Sequence, residues 1–177
     1  LPLLTELSAR YPAGGKGEMR FRFAENIKRE GFGSASRVNY VARIGNFRTG
    51  GFRYTGALRI AQTMLSYGYL WNEIRSKGGA YGCAVRFGRG GSVVFSSYRD
   101  PKLEETDKVY EGVPGYLEQY EADEREMTKA IIGAVGEMDT PRTPQLSGLL
   151  ALSAYYSKVT DEMFSTERAE VLAATPE

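Results

Sequence analysis

The sequence contains no histidine, and this absence excludes more chemistry than any other feature of the composition. A zinc site built on a His-x-x-Glu-His motif cannot form within this chain, and neither can a Ser-His or Cys-His catalytic pair. Cysteine is nearly absent as well, since Cys83 is the single one. The chain therefore has no internal disulfide, and a buried, unreactive thiol is the simplest interpretation of Cys83.

Net charge and long apolar runs are also lacking. With 23 basic and 22 acidic residues the formal net charge is +1, which provides no field to attract nucleic acid or an anionic membrane. No apolar run reaches the length of a membrane span. Arginine and phenylalanine alternate in Met19–Phe23 and could stack on a nucleic acid strand, but so short a segment favours an edge strand. We expect neither a nucleic acid nor a membrane partner.

What is present is enough for one folded domain. The 177 residues, of which 42% are hydrophobic, can bury one good-sized core. The residues up to Tyr11 are typical of the end of a helix, and Pro12–Gly17 is rich in turn-forming residues. We interpret residues 1–17 as the end of a preceding segment or a linker, and residues 18–177 as a single domain. An opening at Leu1 instead of methionine would suit a piece of a longer protein.

Three segments have the pattern of β-strands. Apolar and polar residues alternate over Arg37–Ile44, which predicts a strand with one buried face, and Gly45–Gly51 is predicted to be a loop. Two apolar, β-rich runs at Ala80–Phe87 and Ser92–Tyr98 are joined by Gly88–Gly91, which predicts a hairpin. Because these glycines join two strands and no Gly-Lys-Ser/Thr follows, a turn is favoured over a phosphate-binding loop.

The remaining segments have helical spacing. A long helix is predicted from about Thr55 to Arg75. Asp100 is placed to cap a further helix that extends to about Tyr120, with a kink expected at Pro114. Asp123 with Glu126 forms a capping-box pattern ahead of the next helix. Two more helices are predicted over Pro144–Tyr156 and Thr160–Ala174, the last with Thr160 as its N-cap. Amphipathic helices and antiparallel strands together predict an α+β, two-layer domain whose sheet is covered by helices on one face.

The segment Tyr69–Gly82 is unusual because an amphipathic helix ends abruptly in two glycines and is followed at once by a tyrosine. Arg75 lies in the last helical turn, where a cation suits the helix dipole. Gly78 and Gly79 allow the backbone to turn sharply. Tyr81 then lies between two small residues, which leave its ring accessible to another chain. This is an uncommon setting for a core tyrosine.

These residues, in this order, resemble a known family. The segments that carry the resemblance are Asn39–Phe47, Tyr54–Leu58, Tyr69–Gly82, Ser96–Pro101 and Glu126–Gly133. They are similar to the C-terminal region of zinc metallopeptidases of the pitrilysin/insulinase superfamily, and in particular to the presequence-protease branch. The resemblance extends from about Asn39 to the end of the chain.

The resemblance implies a parent enzyme of four related α+β domains, arranged as two bowl-like halves around a chamber, with this chain as the fourth. In that family the catalytic Zn²⁺ and its ligands belong to the first domain. The chain is therefore expected to be a noncatalytic, substrate-binding domain of a zinc endopeptidase that degrades short unstructured peptides. Its expected partners are the N-terminal catalytic half of the same polypeptide and peptide substrates. The fragment by itself is expected to hold no metal and to be inactive.

The resemblance also assigns two site residues. Arg75 and Tyr81 match the arginine and tyrosine of the family's Arg-…-Tyr element and are implied to hold substrate opposite the zinc site. A guanidinium can donate several hydrogen bonds to peptide carbonyls, and a phenol can donate to the oxyanion that forms during hydrolysis. From the residues alone, Arg75 could instead complement the helix C-terminus, and Tyr81 could pack against the sheet. Asn72, Glu73, Lys77 and the Arg99–Asp100 pair are interpreted as structural.

An alternative from another functional class is an inactive assembly subunit, because the same fold occurs in scaffold components that have lost the site. The presence of both Arg75 and Tyr81 argues against it, since a scaffold has no need of this polar pair beside a glycine break. A His-x-x-Glu-His motif upstream in the gene would discriminate the two hypotheses. The expected location is the cytoplasm, or an organelle matrix if the source is eukaryotic.

Overall fold

The computed structural model describes residues 5–6, 9–10 and 29–175. The chain divides into two compact units, residues 1–35 and 36–177. In the first unit the described residues 5–6 and 9–10 are helical, and Arg10 pairs with Glu6 at 2.9 Å, in agreement with a helix before Tyr11. The predicted linker 12–17 and the predicted edge strand Met19–Phe23 lie outside the described residues. The boundary after residue 17 therefore stays a prediction.

The second unit contains a three-stranded antiparallel sheet. Its strands are β1 (Asn39–Asn46), β2 (Gly82–Phe87) and β3 (Ser92–Asp100). The strand order is β1-β3-β2, so that β3 is central and pairs with both neighbours. The hairpin predicted around Gly88–Gly91 is confirmed.

Helices precede and follow the hairpin in sequence and cover one face of the sheet. The helix α1 (Ala57–Met64) precedes the hairpin and continues directly into a π-helical segment, Leu65–Lys77. After β3 come α2 (Glu104–Glu111), α3 (Val113–Glu118), α4 (Glu124–Met138), α5 (Pro144–Ser157) and α6 (Asp161–Leu172). No helix among the described residues is both long and apolar enough to cross a bilayer.

The π-helical segment is the main departure from the predicted long α-helix. Its fully buried residues are Leu65, Leu70 and Ile74, and the buried residue before them is Ile60. These buried residues are five, five and four positions apart, which is more than the roughly 3.6 residues per turn that keep one face of an α-helix inward. Such spacing suits a helix closed by i→i+5 hydrogen bonds. The spacing of apolar residues therefore predicted a helix correctly but not its geometry.

Two further predictions need correction. The segment Gly45–Gly51 is not all loop, because Gly45 and Asn46 still pair with β3 and a 3₁₀ turn, Phe47–Gly50, follows. The helix predicted to extend to Tyr120 is two helices separated at Gly112, since Pro114 begins the second one instead of kinking the first.

The predicted helix starts are confirmed for the later helices. The Asp123 carboxylate accepts a hydrogen bond from the Glu126 amide at 2.7 Å and caps α4. Thr160 likewise accepts from the Met163 amide at 3.3 Å and caps α6. Asp100, by contrast, does not cap α2, whose N-cap position is Leu103 and has no side-chain cap.

Two hydrophobic clusters hold the layers together. The larger one lies between the sheet and its helices and consists of Val41, Leu65, Leu70, Ile74, Ala80, Val85, Tyr110 and Val113. The second joins α1, α4 and α6 through Ile60, Met127, Ala130, Ala134 and Val171. Burial of apolar surface between a sheet and a helical layer is what a two-layer α+β domain requires, so the predicted fold class is confirmed. The helix α5 contributes no buried residue to either cluster.

Candidate functional site

The candidate site begins where the π-helical segment ends. The Gly79 amide bonds the Arg75 carbonyl at 3.0 Å, and the Ala80 amide bonds the Ile74 carbonyl at 3.1 Å. Gly79 has a φ of 85°, which L-residues rarely adopt, so a glycine suits this reversal of the chain. Ala80 is buried in the core and anchors the turn. The next residue, Tyr81, is consequently turned outward, with 56% of its surface exposed.

The structure brings Arg75 and Tyr81 into direct contact. The Arg75 guanidinium donates to the Tyr81 carbonyl oxygen. Its central carbon lies 4.4 Å from the ring centroid of Trp71 and 5.6 Å from that of Tyr81. Stacking on Trp71 fixes the guanidinium over one turn of its own helix, because cations are attracted to the faces of aromatic rings. The two residues predicted from the sequence therefore form one unit.

Two residues of β3 complete the surroundings of Tyr81. The Tyr98 ring meets the Tyr81 ring edge-on, with centroids 5.2 Å apart. Gly82 makes room for Tyr98, since a Cβ atom at Gly82 would lie 2.4 Å from Tyr98 Cε1. The guanidinium carbon of Arg99 lies 5.7 Å from the Tyr81 ring centroid. We call this set the tyrosine cluster, namely Trp71, Arg75, Tyr81, Tyr98 and Arg99.

Sequence reasoning missed Trp71 and Tyr98 and interpreted Arg99 as structural only. Trp71 lies one helical turn before Arg75, and that spacing is a signal that could have identified it. Tyr98 and Arg99 are opposite Gly82 and Tyr81 only because of the hairpin register, which pairs Gly82 with Tyr98. A four-residue turn with three glycines, Gly88–Gly91, can adopt several turn types and therefore does not specify that register.

Beneath the cluster, the Asp100 carboxylate holds the turn that leaves β3. It is fully buried and accepts hydrogen bonds from Ser97 Oγ at 2.6 Å, Thr106 Oγ1 at 2.8 Å and the Lys102 amide at 2.9 Å. Because Thr106 belongs to α2 and Ser97 to β3, one carboxylate ties the strand to the following helix. Asp100 therefore lies at a strand-to-helix turn, as its structural interpretation expects.

The cluster is cationic. None of the described carboxylates forms an ion pair with Arg75 or Arg99. On the neighbouring turn Lys77 pairs with Glu73 at 2.6 Å, which leaves that carboxylate engaged away from the cluster. Two guanidinium groups that have no acidic partner within the described part of the chain lie beside an exposed phenol. Together they form a surface that can donate hydrogen bonds to carbonyl or carboxylate oxygens.

A shallow cavity of about 360 Å³ lies on the face of the sheet that the helices leave uncovered. Small residues, Ala42, Ala84 and Ser96, form its floor, while Tyr40 and Tyr98 stand at its side. Tyr98 also belongs to the tyrosine cluster, so the cavity is contiguous with the candidate site. An apolar side chain next to a bound peptide bond would fit such a depression.

The chain's own residues do not fit a catalytic zinc. The sequence has no histidine, and among the described residues no group of three or more cysteine, aspartate or glutamate side chains could hold a metal ion. Cys83 is half-buried, and burial raises the pKa of its thiol to about 11, which keeps it in the neutral form that binds metals poorly.

Comparison with known proteins identifies the family of the chain. Residues 29–177 match the family model described as the PreP C-terminal domain. The chain belongs to this family. The match covers the whole sheet, all the described helices from α1 onward and every member of the tyrosine cluster. The domain is thus the C-terminal domain of a presequence-protease-like, pitrilysin-family protein.

Full-length relatives are much longer than the chain. The chain is 43% identical to "Protein HypA" of Clostridium perfringens over 157 residues, and this alignment covers 89% of the chain and 16% of that protein. It is 33% identical over 150 residues to presequence protease 1, chloroplastic/mitochondrial, of Arabidopsis thaliana, covering 84% of the chain and 14% of that protein. A mitochondrial presequence protease of Danio rerio is 31% identical over 140 residues, or 78% of the chain and 13% of that protein. The chain spans about one seventh of these relatives.

Proposed function

We propose that this PreP C-terminal domain is the noncatalytic, substrate-binding domain of a zinc-dependent endopeptidase that degrades short unstructured peptides. Support comes from the family and from relatives named as presequence proteases. The proposed partner is the N-terminal catalytic half of the same polypeptide, which would hold the zinc and supply the activated water. The residues of the present chain would act from the opposite side, on the peptide.

One observation carries this proposal. Arg75 and Tyr81 lie in one unit at the surface, with the guanidinium fixed by Trp71 and by the Tyr81 carbonyl. Such an arrangement is preorganised, because its donors are in place before any substrate arrives. An exposed tyrosine that only packed against the sheet would need no fixed cation beside it.

The two side chains are proposed to have different roles. A guanidinium has five N–H groups, and those not used on Tyr81 can donate to carbonyl oxygens of an extended peptide. The Tyr81 hydroxyl would donate to the oxygen of the scissile carbonyl as negative charge develops on it. Its contribution would then be larger in the transition state than in the bound substrate.

The change Tyr81→Phe in the intact parent enzyme tests the oxyanion role. It removes one hydroxyl and keeps the ring, so that kcat should fall roughly a hundredfold to a thousandfold while KM changes little. Steady-state kinetics on several peptides, with thermal unfolding as a check of folding, would measure this. Tyr67→Phe is the matched control, since Tyr67 is an exposed tyrosine of the π-helical segment outside the cluster.

The change Arg75→Ala should behave differently. A group that holds peptide carbonyls acts before and during the reaction, so that its loss should raise KM at least about tenfold as well as lower kcat. Arg75→Lys, which keeps the charge but not the planar fork, should recover only part of the loss. If both Tyr81→Phe and Arg75→Ala left the kinetics unchanged, the alternative of an assembly domain without a substrate site would be favoured.

A further inference from the structure

The side chain of Arg99 breaks the regular alternation of β3. In a strand, neighbouring residues point to opposite faces of the sheet. Ser97 is buried on the helical side and Tyr98 is exposed, so a regular strand would turn Arg99 inward. Instead Tyr98 and Arg99 are both exposed, and Asp100 is buried.

A left-handed residue produces this inversion. Arg99 has a φ of 49°, which is uncommon for a residue other than glycine. At the same place the pairing of β1 with β3 shifts register between Asn39 and Tyr40. Bulges of this type redirect side chains and are frequent beside active sites. The backbone at Arg99 is therefore shaped to change where one side chain points.

Buried hydrogen bonds hold the unusual turn in place. The Asp100 carboxylate accepts from Ser97, Thr106 and the Lys102 amide, and the Asn39 side-chain amide donates to the Asp100 carbonyl at 3.0 Å. A strained backbone conformation persists where the surrounding structure fixes it, and such places are concentrated at functional sites. Asp100 thereby fixes the direction of the Arg99 side chain.

We propose that Arg99 is a positioning residue for Tyr81, an inference that rests on the proposed function of the Tyr81 hydroxyl. The Arg99 guanidinium lies 5.7 Å from the Tyr81 ring, and the Arg99 carbonyl accepts from the Tyr81 amide at 3.4 Å. Arg75 holds the main chain of Tyr81 through its carbonyl, whereas Arg99 and the edge of Tyr98 restrict the ring. An exposed ring without these contacts would sample other rotamers, and its hydroxyl would meet the scissile carbonyl less often.

The test uses the intact parent enzyme and two substitutions that tolerate a left-handed backbone, Arg99→Asn and Arg99→Gly. Both should lower kcat about two- to fivefold, the range of a lost cation–ring contact at an exposed site, with KM changed less than kcat. Arg99→Lys should recover part of kcat, because an ammonium group is also attracted to the ring. Arg125→Asn, which removes an exposed guanidinium from α4, should leave both constants unchanged.

A double-mutant cycle separates positioning from a general structural role. In the Tyr81→Phe background no hydroxyl remains to be oriented, so that Arg99→Asn should cause no further loss of kcat. An equal loss in both backgrounds would show that Arg99 does not act through Tyr81 and would overturn the proposal. If Tyr81→Phe lowered kcat while Arg99→Asn and Arg99→Gly both kept a normal kcat, the positioning role of Arg99 would be refuted and the proposed function of Tyr81 would stand. A normal kcat for Tyr81→Phe itself would refute the proposed function.

Discussion

Glu167 shows how single residues connect distant parts of this fold. Its carboxylate, on α6, is only 2% exposed and forms ion pairs with Arg59 of α1 and Arg89 of the hairpin turn. The Tyr54 hydroxyl also donates to it at 2.8 Å. Arg89 in turn lies 4.6 Å from the Phe164 ring, and burial lowers the pKa of its guanidinium. Burial of one carboxylate with two cations thus joins α1, the hairpin turn and α6.

The change Glu167→Gln should destabilise the domain. It leaves two partly buried guanidinium groups without their counter-charge, and removing one partner of a buried ion pair costs about 3 kcal/mol or more. Thermal or denaturant unfolding of the chain would measure the loss. Glu162→Gln, an exposed position of the same helix, is the control and should change stability by less than about 0.5 kcal/mol. Equal stability of the two variants would show that the ion pairs of Glu167 make no net contribution to the free energy of unfolding.

At the scale of elements, α5 differs from the other numbered helices, α1–α4 and α6. Its N-terminus is capped by Thr143, whose hydroxyl accepts a hydrogen bond from the Leu146 amide at 3.2 Å, yet the helix buries no residue. Its large apolar side chains are 41% to 73% exposed, and they are Leu146, Leu149, Leu150, Leu152, Tyr155 and Tyr156. Exposed apolar surface of this extent is typical of an interaction face. Because the relatives are about six times as long as the chain, we expect a neighbouring part of the parent to cover α5.

The chain on its own should therefore self-associate weakly through α5. The double change Leu149→Gln with Leu152→Gln should abolish this association, and it should alter the free energy of unfolding by less than about 0.5 kcal/mol because neither side chain is buried. Sedimentation velocity over a range of concentrations would measure the association of the unchanged chain and of the double variant. Ile132→Gln, at an exposed position of α4, is the control and should leave association unchanged. A chain that stays monomeric at high concentration would contradict the prediction.

At the scale of the whole molecule, the proposed function divides the site: this chain would supply hydrogen-bond donors to a peptide, and another part of the parent would supply the metal ligands. The chain belongs to the PreP C-terminal domain family and spans 13% to 16% of the three relatives compared with it. Division of a site between distant parts of one polypeptide has a physical advantage. Groups on opposite walls can converge on both faces of an extended substrate, which one surface cannot do.

The isolated chain should accordingly bind no stoichiometric zinc and cleave no peptide. The reason is chemical, since a single cysteine of raised pKa and scattered carboxylates are poor ligands for Zn²⁺. Metal analysis of the purified chain, with peptidase assays before and after addition of a chelator, would measure this. Stoichiometric zinc together with chelator-sensitive cleavage would contradict it. The intact parent, assayed in parallel, provides the positive control.

Much of the fold and part of the site follow from local chemistry. The N-caps Asp123 and Thr160 and the hairpin around Gly88–Gly91 could be predicted because each depends on residues close in sequence. Tyr98 and Arg99 could not be assigned to the site, because they approach Tyr81 only through the register of the hairpin. The capping role predicted for Asp100 was wrong, because its carboxylate instead accepts hydrogen bonds from Ser97 and from Thr106, which reaches it only after β3 and α2 have packed together.

The sequence by itself determined that the chain has no histidine-based chemistry, that it is an α+β domain, and that Arg75 and Tyr81 lie on either side of a glycine break. These properties depend on composition, periodicity and backbone freedom, which act over a few residues. Only the tertiary structure decided that Arg75 holds the main chain of Tyr81, that Arg99 faces its ring and that α5 lies uncovered. Those facts depend on which surfaces distant in sequence pack together. Burial of a shared core selects this packing, and the contacts involved cannot be read from a local sequence pattern.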